Sequence, residues 1–261
     1  MPINKIADIQ DLNQIARSCV IERLLKTRYT VEKTGLPYSD HMQDHWLRLW
    51  EYSGAIIESH LDKRMRVLDA GGTGTIFSYY MAFEGCEVHT IDIDGSKVKD
   101  ADVLSEQLGL KMYHSVQRVE HLDYPDCYFD AVYCICVIEH LSLEHQPHAL
   151  IELGRVLKPG GVLSITFDYG KDGADNPFVD GIQVRDRLII PTGLELIGNT
   201  VFDTTVSDRK YTDIDNTFGS LFFKKPGELS LKPSNPPSVK TPVLIDWYSK
   251  EISIDYYRCE V

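Results

Sequence analysis

The run Val67-Leu68-Asp69-Ala70-Gly71-Gly72-Thr73-Gly74-Thr75 constrains what this chain can fold into more than any other stretch. An apolar strand empties into a glycine-rich turn, and a second apolar strand, Val88 to Ile91, closes on Asp92. Glycine allows backbone conformations and close approaches that a Cβ forbids, so the turn can lie directly against a ligand. A carboxylate at the tip of the neighbouring strand is placed to accept hydrogen bonds from the vicinal hydroxyls of a ribose. Together they read as a nucleoside pocket at the carboxyl edge of a sheet.

The rest of the chain supplies that sheet. From Met65 the pattern predicts strand 65–70, helix 76–84, strand 86–92, helix 96–107, a short strand near 111–116, strand 130–137, helix 145–156 and strand 162–168. Alternation with short turns demands a mostly parallel sheet covered by helices on both faces. Ahead of it, apolar periodicity predicts a helix over 8–27, with Ile9, Leu12, Ile15, Ala16, Cys19, Val20 and Leu24 on one face. After the break at Gly35-Leu36-Pro37 a second helix is expected over 40–60, capped by Ser39 or Asp40. Residues 168–177, rich in Gly, Asp and Asn, read as a loop at the ligand-binding edge. A short helix near 183–190 and strands at 194–198 and 218–223 follow, and then a proline-rich tail. The expected division is an amino-terminal helical cap (1–60), a Rossmann-like α/β domain (61–228) and a carboxyl-terminal extension packed on it (229–261).

Composition narrows the partners. With 39 acidic against 27 basic residues the formal charge is -12, and no basic stripe follows any predicted helix, so nucleic acid is not expected as a substrate. No apolar run reaches the ~20 residues a bilayer-spanning helix needs, and residues 1–8 lack a secretory apolar core. No membrane association and a cytoplasmic location are therefore expected. The cysteines show no paired spacing, and Cys134 and Cys136 alternate within an apolar strand, so they are read as reduced thiols.

The glycine turn and Asp92, joined by Tyr128-Phe129-Asp130-Ala131-Val132, Val137-Ile138-Glu139-His140 and Leu157-Lys158-Pro159-Gly160-Gly161, resemble the motifs of class I S-adenosylmethionine (SAM) dependent methyltransferases over roughly residues 65–225. The resemblance implies a doubly wound seven-stranded sheet ending in an antiparallel hairpin, with SAM as cofactor. It places Asp69, Ala70, Gly71, Gly72, Thr73 and Gly74 around the methionine end, Asp92 on the ribose and Ile93 against the adenine face. Arg118 and Val119 fall at the adenine edge, and Cys136 at the end of the next strand.

This chain departs from the family in two places. Glycines usually stand at the second, fourth and sixth positions after the strand-ending acid; here Gly71 keeps the first, and Thr73 and Thr75 replace the others. Arg118 stands where an acid often accepts the adenine amino group, a bond a guanidinium cannot accept. Gln117 or Glu120 can substitute for it, and a surface ion pair is the plainer role for Arg118.

For chemistry, His140 is the first choice of general base and Asp168 the second, with a loop-holding role as the alternative for His140. No metal is expected. The glutamate that precedes the Glu-His pair in the metal-binding small-RNA 2'-O-methyltransferases corresponds to Cys136. Trp46 and Trp50 read as packing, while Tyr38, His41, Glu51 and Tyr52 are candidates for closing over the cofactor's amino acid end. The expected reaction is methyl transfer from SAM to a small molecule, at a hydroxyl oxygen, with nitrogen as the alternative. A degenerate SAM-binding interaction module and a nucleotide-dependent oxidoreductase are the rival readings. A homodimer, if formed, would use the amino-terminal helices or the carboxyl-terminal tail.

Overall fold

The computed structural model describes residues 3–39, 46–170, 176–202 and 216–227. The chain opens with a short strand, β1 (Asn4–Lys5), and a 3-10 turn, Ile9–Asn13, whose start is capped by the Asp8 carboxylate accepting from the Gln10 amide. Extended backbone at Gln14 separates that turn from helix α1 (Ile15–Glu32). The single helix expected over 8–27 is thus two elements, and the buried face is Val20, Leu24, Thr27 and Val31, while Ile15 is 84% exposed. Helix α2 (Trp46–Glu58) is buried along most of its length. Ser39 does not cap it: its amide donates to the Gly74 carbonyl (2.8 Å), tying this segment to the glycine turn.

The sheet then builds as the alternation requires: β2 (Arg66–Ala70), α3 (Ile76–Phe83), β3 (Glu87–Asp92), α4 (Gly95–Leu108), β4 (Met112–Val116), β5 (Phe129–Ile135), α5 (His145–Val156) and β6 (Leu157–Gly170). Helix α6 (Gly181–Val184) continues through a π-helical turn, Arg185–Ile189, into Ile190–Thr192. Strands β7 (Glu195–Leu196), β8 (Thr200–Val201) and β9 (Asn216–Lys224) complete the described chain. The seven-stranded sheet runs β4-β3-β2-β5-β6-β9-β7, with β2 through β6 parallel and β9 antiparallel to both β6 and β7. β1 lies outside it, parallel to β8. The Lys158-Pro159-Gly160-Gly161 segment is a register irregularity inside β6, where a Cβ on Gly161 would come within 2.8 Å of the Asp130 carbonyl.

Each face of the sheet carries its own core. On one, α1, α2 and α3 pack with Tyr52, Phe77, Tyr80 and Tyr133. α3 is buried from Ile76 to Ala82, between the sheet and α1, and only Phe83 at its carboxyl end is exposed. On the other face α5 and the helical stretch after residue 181 cover Phe129, Leu163, Phe167 and Phe223. Each such side chain contributes ~1.5–3 kcal/mol when fully buried. Trp50 belongs to packing as expected: it is 2% exposed and its indole donates to Asp11 (2.8 Å). Cys19, Cys86, Cys134 and Cys136 are free thiols. Cys127 departs from the expectation of reduced thiols, being disulfide-bonded. The proline-rich segment, His41, and residues 171–175 of the expected loop lie outside the described residues. No helix among the described residues is long and apolar enough to cross a membrane.

Candidate functional site

The strand order reverses at β2, with β3 leaving on one side and β5 on the other. Ligands of open α/β sheets bind in the crevice such a reversal opens at the carboxyl ends of the strands. Here a cavity of about 460 Å³ lies there, with Asp69 and Gly71–Gly72 after β2, Asp92–Ile93 after β3, Gln117–Glu120 after β4 and Cys136–Val137 after β5.

The glycine turn is shaped by what lies beneath it. A Cβ on Gly72 would stand 2.0 Å from the Asp69 carboxylate, and one on Gly71, at φ +84, would stand 2.5 Å from Val137. Neither position tolerates a side chain. Asp69 is fully enclosed; its Oδ2 accepts from Ser78 (2.5 Å), while Oδ1 has no hydrogen-bond partner. Burial raises this carboxyl to about 7 against the opposing hydrogen bonds from Ser78 and Thr75. The two threonines that replace family glycines have structural work. Thr75 caps α3, accepting from the Ser78 amide and donating to the Gly72 carbonyl (2.9 Å). Thr73 turns away from the cavity and donates to Thr90 (2.9 Å).

Asp92 stands at the tip of β3 with its Oδ1 taking the Asp94 amide (2.9 Å) and Lys97 3.5 Å from its Oδ2. The Gln117 amide donates to the Asp92 carbonyl (3.1 Å), which sets the segment after β4 beside Asp92. There Val119 is 6% exposed and Glu120 faces the cavity. Arg118 turns its guanidinium onto Glu120, so the plainer of its readings is the one its contacts match. Although burial alone would raise Glu120, hydrogen bonds from the backbone and from Arg118 hold it below the ordinary carboxylate range. Glu120 is therefore an ionised acceptor two residues from the position the family motif indicates.

At the far end α2 supplies Arg48 and Tyr52. Arg48 pairs with the buried Glu51 (2.8 Å) and lies over the Phe218 ring, 4.8 Å from its centroid. The neighbouring carboxylate keeps the guanidinium charged against the cost of burial. Sequence reasoning singled out Glu51 and Tyr52 but missed Arg48, which shares their helix. The charge that a buried Glu51 must have for a partner was the available signal. Tyr38 sits away from this end, its hydroxyl on Glu32 (3.2 Å).

The chosen catalytic residues separate. His140, exposed in the 3-10 turn Ile138–His140, borders the cavity together with Leu141, Ser142 and His145. Asp168 is half-buried outside the lining, its amide donating to Glu139 (3.0 Å). Ala70, Thr73 and Gly74 also lie outside the lining and support it from behind. Ligand-type atoms of Cys136, Glu139 and Asp168 lie within 4.8 Å of one another. The Cys136 thiol, however, donates to Glu51 (2.9 Å), and burial beside Glu51 and Glu139 pushes it well above the usual thiol range. It is held as a thiol, whereas metals bind the thiolate. Cys136 also stands in the left-handed region at φ +50, a strained conformation kept at the cavity wall.

Comparison with known proteins agrees with this architecture. Residues 68–165 match a family described as a methyltransferase domain. The chain is 38% identical over 103 residues to a ubiquinone biosynthesis O-methyltransferase of Xanthomonas axonopodis pv. citri, covering 39% of this chain and 42% of that protein. It is 31% identical over 161 residues to a probable methyltransferase, ltbC, of Aspergillus luteorubrus, covering 58% and 54%. It thus spans about half the length of these curated relatives. Among solved structures, the [4+2]-cyclase SpnF superposes with a TM-score of 0.57 at 19% identity, over 82% of this chain and 96% of that one, a likeness of fold. Motifs, sheet order and family match converge on the class I SAM-dependent methyltransferase fold, with residues 68–165 matching a methyltransferase domain.

Proposed function

We propose that the protein transfers a methyl group from SAM to a hydroxyl oxygen of a small-molecule acceptor. The observation that carries this is the single cavity joining the Gly71–Gly72 cradle, Asp92 and Glu120 at the strand-order reversal. Its residues fit the cofactor from end to end. Asp92 would accept from the ribose hydroxyls. Val119 and Ile93 would flank the adenine, with Glu120 taking its amino group in place of Arg118. The partnerless Oδ1 of Asp69 suits the ammonium of the amino acid end, and Arg48 suits its carboxylate. SAM, when bound, supplies a methyl group on a sulfonium centre. Displacement there requires the protein chiefly to hold acceptor and methyl carbon in line, at about 3–3.5 Å, in a site that excludes water.

His140, at the rim of the cavity, would take the acceptor's proton as the oxygen becomes nucleophilic. Asp168 would act through the Glu139 segment that its amide holds. No metal takes part in this scheme, since the Cys136 thiol is committed to Glu51. The choice of oxygen draws on relatives named as O-methyltransferases. Calorimetry with SAM, its demethylated product and NAD tests the pocket, and methyl-labelled SAM with a metabolite pool identifies the acceptor. Binding of NAD in preference to SAM would refute the proposal. SAM binding without label transfer would make the chain a binding module.

A further inference from the structure

The turn under the cofactor cavity is fastened from the sheet's edge by a hydrogen-bond chain that has one direction. Thr73 Oγ1 donates to Thr90 Oγ1 (2.9 Å). Thr90 Oγ1 lies 2.6 Å from His114 Nδ1, His114 Nε2 lies 3.2 Å from Ser105 Oγ, and Ser105 Oγ donates to the Asp102 carbonyl (3.1 Å). Because Thr90 receives the Thr73 proton, its own proton goes to Nδ1. The ring is then an acceptor at Nδ1 and a donor at Nε2, which is the neutral imidazole in one tautomer. Thr73 and Thr90 are 1% and 0% exposed, so no water substitutes for a lost partner.

A proton added at Nδ1 turns that atom into a donor facing Thr90. The Thr90 oxygen would then receive hydrogens from both sides, or the Thr73–Thr90 bond would have to reverse, and in either case one buried hydroxyl hydrogen of the pair has no acceptor within the chain. Leaving a buried polar group unmatched is the costly outcome in a hydrogen-bond network. The relief is for Thr73 to let go, and Thr73 is part of the glycine turn.

We propose that His114 is a positioning residue which, only as the neutral imidazole, tethers the glycine turn through Thr90 and Thr73 and so makes cofactor affinity fall as pH drops. The proposal rests on the reading of the cavity as the SAM site. The groups facing the ring are Asp102 and Ser105 from α4 and Thr90 and His89 from β3. Burial and His89 favour the neutral form and Asp102 opposes them, so the ring titrates below its ordinary 6.5.

The test is SAM calorimetry on the full chain from about pH 5.5 to about pH 8.5, for the wild type, Thr73→Val and Thr73→Ser. In the wild type the Kd should rise as pH falls, with Asp69 and His114 each contributing at most about tenfold per pH unit. Thr73→Val should bind about two- to tenfold more weakly at pH 8 and show a shallower acid rise, while Thr73→Ser should restore both. Asp69 titrates at the cavity in all three proteins, so the difference between curves is the readout. By reciprocity, bound SAM should lower the pH at which the His114 ring resonances titrate. Equal acid slopes in wild type and Thr73→Val, or a His114 titration that ignores SAM, would overturn the tether and leave the pocket standing. Failure of the wild type to bind SAM at pH 8 would overturn the cavity's assignment and the tether with it.

Discussion

Replacing Asp69 by asparagine should make the protein more stable at alkaline pH and less able to bind SAM. The carboxyl lies beneath Gly72 with one oxygen on Ser78 and the other without a partner. Burial lifts it from 3.8 to about 7, so between those values the folded chain holds a proton that the unfolded chain has released. Stability from this group is therefore fully present in acid and is lost as pH rises toward 7. At ~1.4 kcal/mol per pH unit the full loss is at most about 4 kcal/mol, of which roughly 3 falls between about pH 5 and about pH 8. Asparagine retains an acceptor for Ser78 and carries no charge to desolvate. Urea unfolding at several pH values should give stabilities for wild type and Asp69→Asn that lie about 3 kcal/mol further apart at pH 8 than at pH 5, the variant being the more stable at pH 8. Saturating SAM should flatten the wild-type curve, since an ammonium beside Asp69 favours its charged form. Parallel pH profiles for the two apo proteins would refute the reasoning, because they would mean that Asp69 ionises without penalty where it sits.

Three further outcomes follow from the same geometry. Asp92→Ala should weaken SAM binding about ten- to a hundredfold, since hydrogen bonds to a charged acceptor are worth about 1.5–3 kcal/mol; an unchanged Kd by calorimetry in the folded variant would remove the ribose assignment. His140→Ala should lower the maximal rate about a hundredfold or more at nearly constant SAM affinity, with Asp168→Ala as the comparison; if neither slows single-turnover methyl transfer, proximity alone drives the reaction. EDTA should leave activity intact, and turnover lost on chelation and restored by a divalent ion would show that the Cys136, Glu139 and Asp168 group holds a metal after all.

The alternation of strand and helix from Met65 to Thr166 was legible because period-two and helical patterns follow one another with short turns, and each has a single burial solution. The amino-terminal helix was misread because Ile9, Leu12 and Ile15 continue an apolar spacing across a point where Gln14 is extended. Asp92 was legible as a strand-tip acid. Glu120 was only one of two substitutes at the adenine edge, because motif counting lands on Arg118 and only the turn closed by the His121 amide on the Arg118 carbonyl (3.0 Å) brings Glu120 to the cavity. Arg48 was invisible to motif reasoning, since its position depends on how α2 docks across the sheet. Thr73 and Thr75 looked like losses of glycine; their hydroxyls show why a side chain is retained at each.

The first strand has a consequence for how the chain assembles. Asn4, fully buried, donates to the Ile197 carbonyl (2.6 Å) and accepts from the Phe222 amide (2.7 Å). Those partners lie 193 and 218 residues away. During synthesis Asn4 emerges long before its bonding partners, which are among the last described residues to leave the ribosome. Contacts of such separation form late, after the local strand-helix units have condensed. Closure of the β1–β8 pair is thus a reporter of completed folding, and a nascent chain stalled before residue 222 would present Asn4 to proteases that the finished protein denies.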